Sequence, residues 1–222
     1  MTTKGLLLVM IDVPAEHEAE LNRWYDEEHF LERMVCEGFL NGRRLIAEEG
    51  GPKYLAYYDL QSPAVLDSAA YRKIAPRTPW TARIAAHFTR SVRNVYAEIR
   101  PEVCNGPRKT GTGLLLVAID VAAEHEAELN RWWDEEHIRE RMAIPGFLRA
   151  RRFRAIEDGA IEGAPKYLTL YDIESPDVLQ TPEYKHWSGP GTTDFTKRIR
   201  QHFNPIVRNV YRQIRARDAI GG

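Results

Sequence analysis

Short apolar runs, separated by longer segments of mixed polarity, mark the first half of the chain. Residues 6–11 are almost continuously apolar and precede Asp12, which is typical of a short buried strand. Pro14 suits the first turn of a helix, and the mixed segment after it predicts a helix over residues 15–34. Turn residues such as those at 49–52 delimit the later elements. The pattern predicts strands at 38–48, 53–60 and 91–99, and helical segments from 62 and over 79–88.

The same pattern returns in the second half. Residues 15–24 recur unchanged as residues 123–132, and about 25 of the first 30 aligned positions are identical. Units of this length are too large to be solenoid repeats, so the sequence predicts a duplicated domain with copies at residues 1–104 and 113–222. The linker is expected at residues 105–112, where asparagine, glycine and proline interrupt secondary structure.

Each copy has the element order β-α-β-β-α-β of a ferredoxin-like domain. The predicted helices cover only one face of each sheet, although the strands carry apolar residues toward both faces. Packing the two sheets against each other would bury the second face of each. We therefore predict an α+β fold in which two ferredoxin-like repeats form a dimeric α+β barrel within one chain.

Composition narrows the partners of the chain. The formal net charge of −1 gives no basic field that would attract nucleic acid or anionic lipid. No apolar segment is long enough to span a membrane. Cys36 and Cys104 have no counterparts in the other copy, so neither a disulfide framework nor a zinc site is expected. No signal-peptide pattern precedes the first strand, and a cytoplasmic protein is predicted.

The first helix of each copy carries the strongest chemical signal. On a wheel of 100° per residue, the first copy places Leu21, Trp24, Tyr25 and Glu28 on one face, with His29 beside it. The equivalent face of the second copy consists of Leu129, Trp132, Trp133 and Glu136, with His137 beside it. A carboxylate buried among aromatic side chains would have a raised pKa, which is one way to obtain a general acid or base near neutral pH.

The spacing Trp24-Tyr25-x-x-x-His29, followed by Gly38-Phe39, resembles the EthD-type branch of the dimeric α+β barrel superfamily. The second copy repeats it as Trp132-Trp133-x-x-x-His137, followed by Gly146-Phe147. The resemblance implies a pocket between sheet and helices in each copy, suited to small aromatic or otherwise apolar molecules. Members of the superfamily include polyketide cyclases, isomerases, dehydratases, cofactor-free monooxygenases and haem-degrading enzymes.

Two sets of candidate site residues follow. The groups expected to transfer protons or to assist are His29, His137, Tyr25, Glu28 and Glu136. The side chains expected to shape an apolar substrate pocket are Trp24, Trp132, Trp133, Tyr54, Tyr58, Tyr167 and Tyr171. Each set has a structural alternative, in which the histidines bind neighbouring aspartates, the glutamates pair with an arginine of the second strand, and the aromatic side chains fill the core.

The leading functional hypothesis is a cofactor-independent lyase, dehydratase, cyclase or isomerase. Its substrate would be a small aromatic or hydrophobic carbonyl compound of catabolism or secondary metabolism. No metal-ligand cluster and no glycine-rich phosphate loop stands out in the sequence, so no cofactor is expected. Two alternatives stay open: a non-catalytic binding protein for small hydrophobic ligands, and a cofactor-free or haem-dependent monooxygenase. The fused units are also candidates for pairing into a homodimer.

Overall fold

Antiparallel strands close into a barrel in the computed structural model, which describes residues 3–107, 109–156 and 165–218. The strands are β1 Gly5–Asp12, β2 Phe39–Glu49, β3 Tyr54–Leu60, β4 Arg90–Cys104, β5 Gly113–Ile119, β6 Phe147–Ala155, β7 Tyr167–Ile173 and β8 Ile206–Asp218. Around the barrel their order is β1-β3-β2-β8-β5-β7-β6-β4. The predicted fold class, an α+β barrel of two ferredoxin-like repeats, is confirmed.

The barrel closes because each copy pairs with the edge strands of the other. Within the first copy, β3 lies between β1 and β2, and β4 pairs with the other side of β1. The second copy repeats this arrangement with β5 to β8. The two edges left over, β2 and β4, pair antiparallel with β8 and β6 of the other copy. Main-chain hydrogen bonds therefore join the copies, in addition to the predicted packing between their sheets.

One strand is longer than the sequence predicted. β4 continues beyond residue 99 to Cys104, and its last part pairs with β6, where Val103 lies opposite Ala150. The partner of this extension belongs to the other copy, so no hydrophobic period inside the first copy could reveal it. From the sequence, residues 157–164 are expected to lengthen the second copy's hairpin turn relative to that of the first, and they lie outside the described residues.

The helices lie on the outside of the barrel. They are α1 Glu18–Trp24, α2 Phe30–Met34, α3 Ala69–Ile74, α4 Pro79–Ala85, α5 Glu126–Trp132, α6 Ile138–Met142, α7 Pro182–Ser188 and α8 Asp194–Arg200. A π-helical turn, Tyr25–His29, joins α1 to α2, and an equivalent turn, Trp133–His137, joins α5 to α6. None of the described helices combines the length and apolar character that a bilayer crossing requires.

Strand alternation divides the core into an inner and an outer layer. Leu6, Leu8 and Met10 of β1 belong to the cluster that fills the barrel interior. Leu7 and Ile11, on the opposite face of the same strand, pack in the cluster beneath the first copy's helices. The second copy has its own outer cluster. The outer layers, where sheet meets helices, hold the candidate site.

Two ion pairs that involve buried arginines cross between the copies at related positions. Arg43 of β2 donates to the carboxylate of Asp172 on β7, which is fully buried. Reciprocally, Arg151 of β6 donates to Asp59 on β3 at 2.6 Å. Each arginine also lies near the ring of Tyr57 in the barrel interior. These pairs give the joined copies a fixed register that depends on charge as well as on apolar packing.

Candidate functional site

Each copy contains a cavity between the outer face of its sheet and its helices. The cavity of the first copy has a volume of about 210 Å³ and that of the second about 370 Å³. Equivalent side chains line both: Trp24 and Trp132, His29 and His137, Arg33 and Arg141, Tyr58 and Tyr171, Tyr71 and Tyr184. The larger cavity falls in the range typical of small-molecule sites, which is about 300–1,000 Å³.

The π-helical turn determines which side chain of the first helix reaches the cavity. The backbone N–H of Phe30 donates to the carbonyl of Tyr25, five residues earlier, so this turn holds one residue more than an α-helical turn. Trp24 and His29, also five residues apart, consequently stack with ring centroids 4.3 Å apart. On a regular helix such residues would not face each other. The wheel of 100° per residue therefore misjudged the phase of the helix beyond Tyr25.

Both histidine imidazoles are held without an acidic partner. His137 stacks on Trp132 with ring centroids 4.1 Å apart, as His29 does on Trp24. The Nδ1 atom of each ring is buried and forms no hydrogen bond with the described residues. Burial, together with the charge of nearby arginines, holds the pKa of each imidazole well below its usual value of 6.5. Both rings are therefore neutral at pH 7, and the predicted alternative of an aspartate partner is not observed.

An arginine follows each histidine by four residues and lies in the same cavity. Arg33 and Arg141 are 7% and 5% exposed. The Arg33 guanidinium donates to the carbonyl of Ile74 at 3.0 Å, and that of Arg141 to the Ser188 hydroxyl at 3.1 Å. Neither forms an ion pair with a carboxylate of the described residues, and no described acidic residue lines either cavity. Each cavity therefore combines a neutral imidazole with a buried positive charge.

The predicted glutamates lie at a different place. Glu28 accepts hydrogen bonds from the hydroxyls of Thr78 and Thr81, at 2.6 and 3.2 Å. Glu136 accepts equivalent bonds from Thr193 and Thr196. Neither glutamate lines the cavity of its copy. Because Thr78 and Thr193 cap the N-termini of α4 and α8, these carboxylates tie the first helix of each copy to its last helix.

The remaining predicted residues divide into two groups. Trp24, Trp132, Tyr25, Tyr58 and Tyr171 line a cavity. Burial raises the pKa of Tyr25 and of Tyr171 to about 12, so both hydroxyls are protonated at neutral pH. Outside the cavities lie Tyr54, Tyr167 and Trp133: the two tyrosines donate hydrogen bonds to Glu18 and Glu126, and Trp133 packs against the guanidinium of Arg152.

In the described part of the chain, no three histidine, cysteine, aspartate or glutamate side chains cluster in a way that could hold a metal ion. A haem would need an axial ligand beside a cavity, and His137 is the candidate in the larger one. Its Nδ1 is buried, which leaves Nε2 as the single imidazole nitrogen able to reach an iron atom. The larger cavity would therefore offer a haem one histidine ligand, and no step of the proton transfer depends on a haem.

The chain has the fold of the dimeric α+β barrel proteins. It is similar to an anthrone oxidase-like protein (TM-score 0.71, 13% identity, 99% of this chain and 94% of that chain covered). It is also similar to a putative monooxygenase from Fusobacterium nucleatum (TM-score 0.60, 12% identity, 99% of this chain and 96% of that chain covered). A third similar structure is a putative chlorite dismutase (TM-score 0.53, 12% identity, 97% of this chain and 96% of that chain covered). The sequence matches no protein-family model and no curated protein. These similarities establish the fold, whereas the EthD-type resemblance of the first helix stays a prediction.

Sequence reasoning missed the two buried arginines. The spacing His29-x-x-x-Arg33 recurs as His137-x-x-x-Arg141, and residues four apart on a helix are neighbours. This repeated pair was a usable signal. The spacing alone does not show that each arginine is buried beside a cavity, because the cavity is formed by elements distant in sequence.

Proposed function

We propose that the protein is an enzyme that moves a proton on a small aromatic or hydrophobic carbonyl compound, in the manner of an isomerase or lyase. The observation that carries the proposal is the pair of a neutral imidazole and a buried, carboxylate-free guanidinium that lines a cavity in each copy. A neutral imidazole can accept a proton, and a fixed positive charge nearby stabilises the anion that remains.

The chemistry begins with a C–H bond next to the carbonyl. Nε2 of His137 takes the proton, the C–H electron pair forms a C=C bond, and the carbonyl π electrons move to oxygen to give an enolate. The guanidinium of Arg141 stabilises the enolate oxygen. Because the enolate partly neutralises the charge of Arg141, the pKa of the imidazole rises as the proton arrives. Returning the proton to another carbon completes an isomerisation, whereas giving it to a leaving group completes an elimination.

The surrounding side chains position this pair. Trp132 covers one face of the imidazole, and Tyr171 lies edge-on to it with ring centroids 6.4 Å apart. Glu136 acts at a distance from the cavity, since its bonds to Thr193 and Thr196 hold the helix that carries His137. The first copy has the same arrangement in a smaller cavity, with Tyr25 as an additional protonated hydroxyl.

Deuterium exchange into 2-tetralone, an aromatic ketone with acidic C–H bonds, tests the proposal without knowledge of the natural substrate. The free-enzyme base must be neutral to act, so kcat/KM falls as pH drops through its pKa. Because that pKa lies well below 6.5, we expect the buffer-corrected exchange to be flat around pH 7 and to fall only at more acid pH. NMR in D₂O measures the exchange. A profile that breaks at or above pH 7, or no exchange over buffer, would contradict the proposal.

A cofactor-free monooxygenase is a second candidate, favoured by the descriptions of the solved structures as anthrone oxidase-like and as putative monooxygenases. It would share the first deprotonation. Oxidation of a methylene to a ketone then balances as R₂CH₂ + O₂ → R₂C=O + H₂O and needs no further reductant. Oxygen uptake with an electron-rich aromatic ketone distinguishes this candidate, and a visible absorbance band of the purified protein would identify a haem-dependent form. Ligand binding without either reaction would identify the non-catalytic alternative.

A further inference from the structure

The two cavities differ in where their arginines lie. α4 ends at Ala85 and α8 ends at Arg200, and each of these equivalent residues lines the cavity of its copy. Three arginines line each cavity, namely Arg33, Arg77 and Arg93 in the first and Arg141, Arg200 and Arg208 in the second. The second cavity therefore has a guanidinium at the end of its last helix, where the first cavity has the methyl group of an alanine. The side chain of Arg200 forms no hydrogen bond or ion pair with the described residues. The second cavity is also larger, with a volume of about 370 Å³ compared with about 210 Å³ for the first.

The guanidiniums of Arg200 and Arg141 are close enough to disfavour each other's charge. Burial, and then the charge of Arg141, lower the pKa of Arg200. Glu140 is the carboxylate whose charge opposes this effect, but it forms no ion pair with Arg200 and does not line the cavity. Arg208, also in the cavity wall, is already paired with Glu49 at 2.5 Å. Two neighbouring cations thus face a largely apolar hollow without a protein anion between them.

We propose that the second cavity selects an aromatic molecule that carries a carboxylate, held by Arg200 together with Arg141. The ring would lie in the hollow formed by Trp132, Tyr171 and Phe203, and the carboxylate would supply the counter-charge that the protein withholds. Arg200 is then a specificity-determining residue outside the proton-transfer pair. The inference rests on the proposed function only in that both concern the same cavity. It can be tested separately, because binding can be measured without turnover.

Calorimetric titration with 2-naphthoate and with 2-naphthamide tests the inference, because these probes share a ring system and differ in charge. We expect 2-naphthoate to bind at least about 10-fold more tightly, since hydrogen bonds between a carboxylate and a guanidinium are stronger than those of a neutral amide. Arg200→Ala should weaken 2-naphthoate about 10-fold and leave 2-naphthamide unchanged. The matched control is Arg198→Ala. Arg198 belongs to the same helix, but it pairs with Glu128 and does not line the cavity.

The reciprocal variant Ala85→Arg should increase affinity for 2-naphthoate in the first cavity, by placing a cation at the position equivalent to Arg200. Equal affinity for the two probes, equal weakening by Arg198→Ala, or no binding of either probe would overturn the inference. A loss of thermal stability in Arg200→Ala without a change in affinity would overturn it as well, because that is the signature of a cation that only stabilises a helix end. If the charge preference holds but 2-tetralone exchange is absent, the proposed function fails and this inference survives.

Discussion

The double variant His29→Ala/His137→Ala is expected to lose at least about 100-fold of the enzyme-dependent deuterium exchange into 2-tetralone, since positioned general bases contribute about 10²–10⁴-fold. Both imidazoles line a cavity and are neutral at pH 7, so each is able to accept a proton. NMR in D₂O with equal concentrations of folded protein measures the loss. Of the single variants, His137→Ala should lose more, because its cavity is larger.

The matched control for this prediction is His17→Ala/His125→Ala. These histidines stack on His87 and His202 with centroids 3.6 Å apart, and they line neither cavity. The control should retain the exchange rate of the wild type within about twofold. Wild-type exchange in the cavity double variant, with its 2-naphthoate affinity intact, would show that the imidazoles do not carry the proton.

Asp172→Ala is expected to reduce the free energy of unfolding by about 3–5 kcal/mol, the range for removing one partner of a buried ion pair. The carboxylate is fully buried and accepts hydrogen bonds from Arg43 of the first copy and Arg149 of the second, the latter at 2.9 Å. Its removal would leave the buried guanidinium of Arg43 without a carboxylate partner, and Arg149 with Glu102 alone, at 3.4 Å. Urea denaturation followed by circular dichroism measures the change, which is large compared with a typical stability of about 5–15 kcal/mol.

Glu48→Ala is the matched control for Asp172→Ala. Glu48 also joins the two copies, through Arg212 of β8, but both side chains are substantially exposed. Exposed pairs contribute about 0–1 kcal/mol, so this variant should unfold close to the wild type. Similar destabilisation by the two substitutions would mean that the buried cross-copy pairs do not stabilise the barrel beyond ordinary surface contacts.

Much of the fold was predictable because the chain repeats its own pattern. Apolar runs of strand length and a long amphipathic helix recur at the same spacing, and a sheet with helices on one face requires a second sheet. The pairing of β2 with β8 and of β4 with β6 was not predictable in this way, because it joins residues far apart in sequence. The same applies to the pairs of Arg43 with Asp172 and of Arg151 with Asp59.

The candidate site was predictable in part, for a reason specific to the first helix. The repeated aromatic residues and His29 indicated the correct face as far as Tyr25, where the helix is regular. Beyond that residue, the π-helical turn adds a residue that a regular wheel does not contain. Glu28 was therefore expected at the centre of the buried face, although it binds Thr78 instead. Arg200 was not foreseen, because its role depends on the end of α8 lying over the second cavity.

A crystal structure of the protein with bound 2-naphthoate would show directly whether the second cavity is a ligand site, since it locates the ligand relative to both His137 and the arginines. We expect the naphthalene ring to occupy the second cavity beside His137. Its carboxylate should lie within hydrogen-bonding distance, about 2.7–3.2 Å, of a guanidinium nitrogen of Arg141 or Arg200. Ligand bound only elsewhere, or a collapsed cavity with the His137 imidazole turned into bulk water, would contradict this expectation.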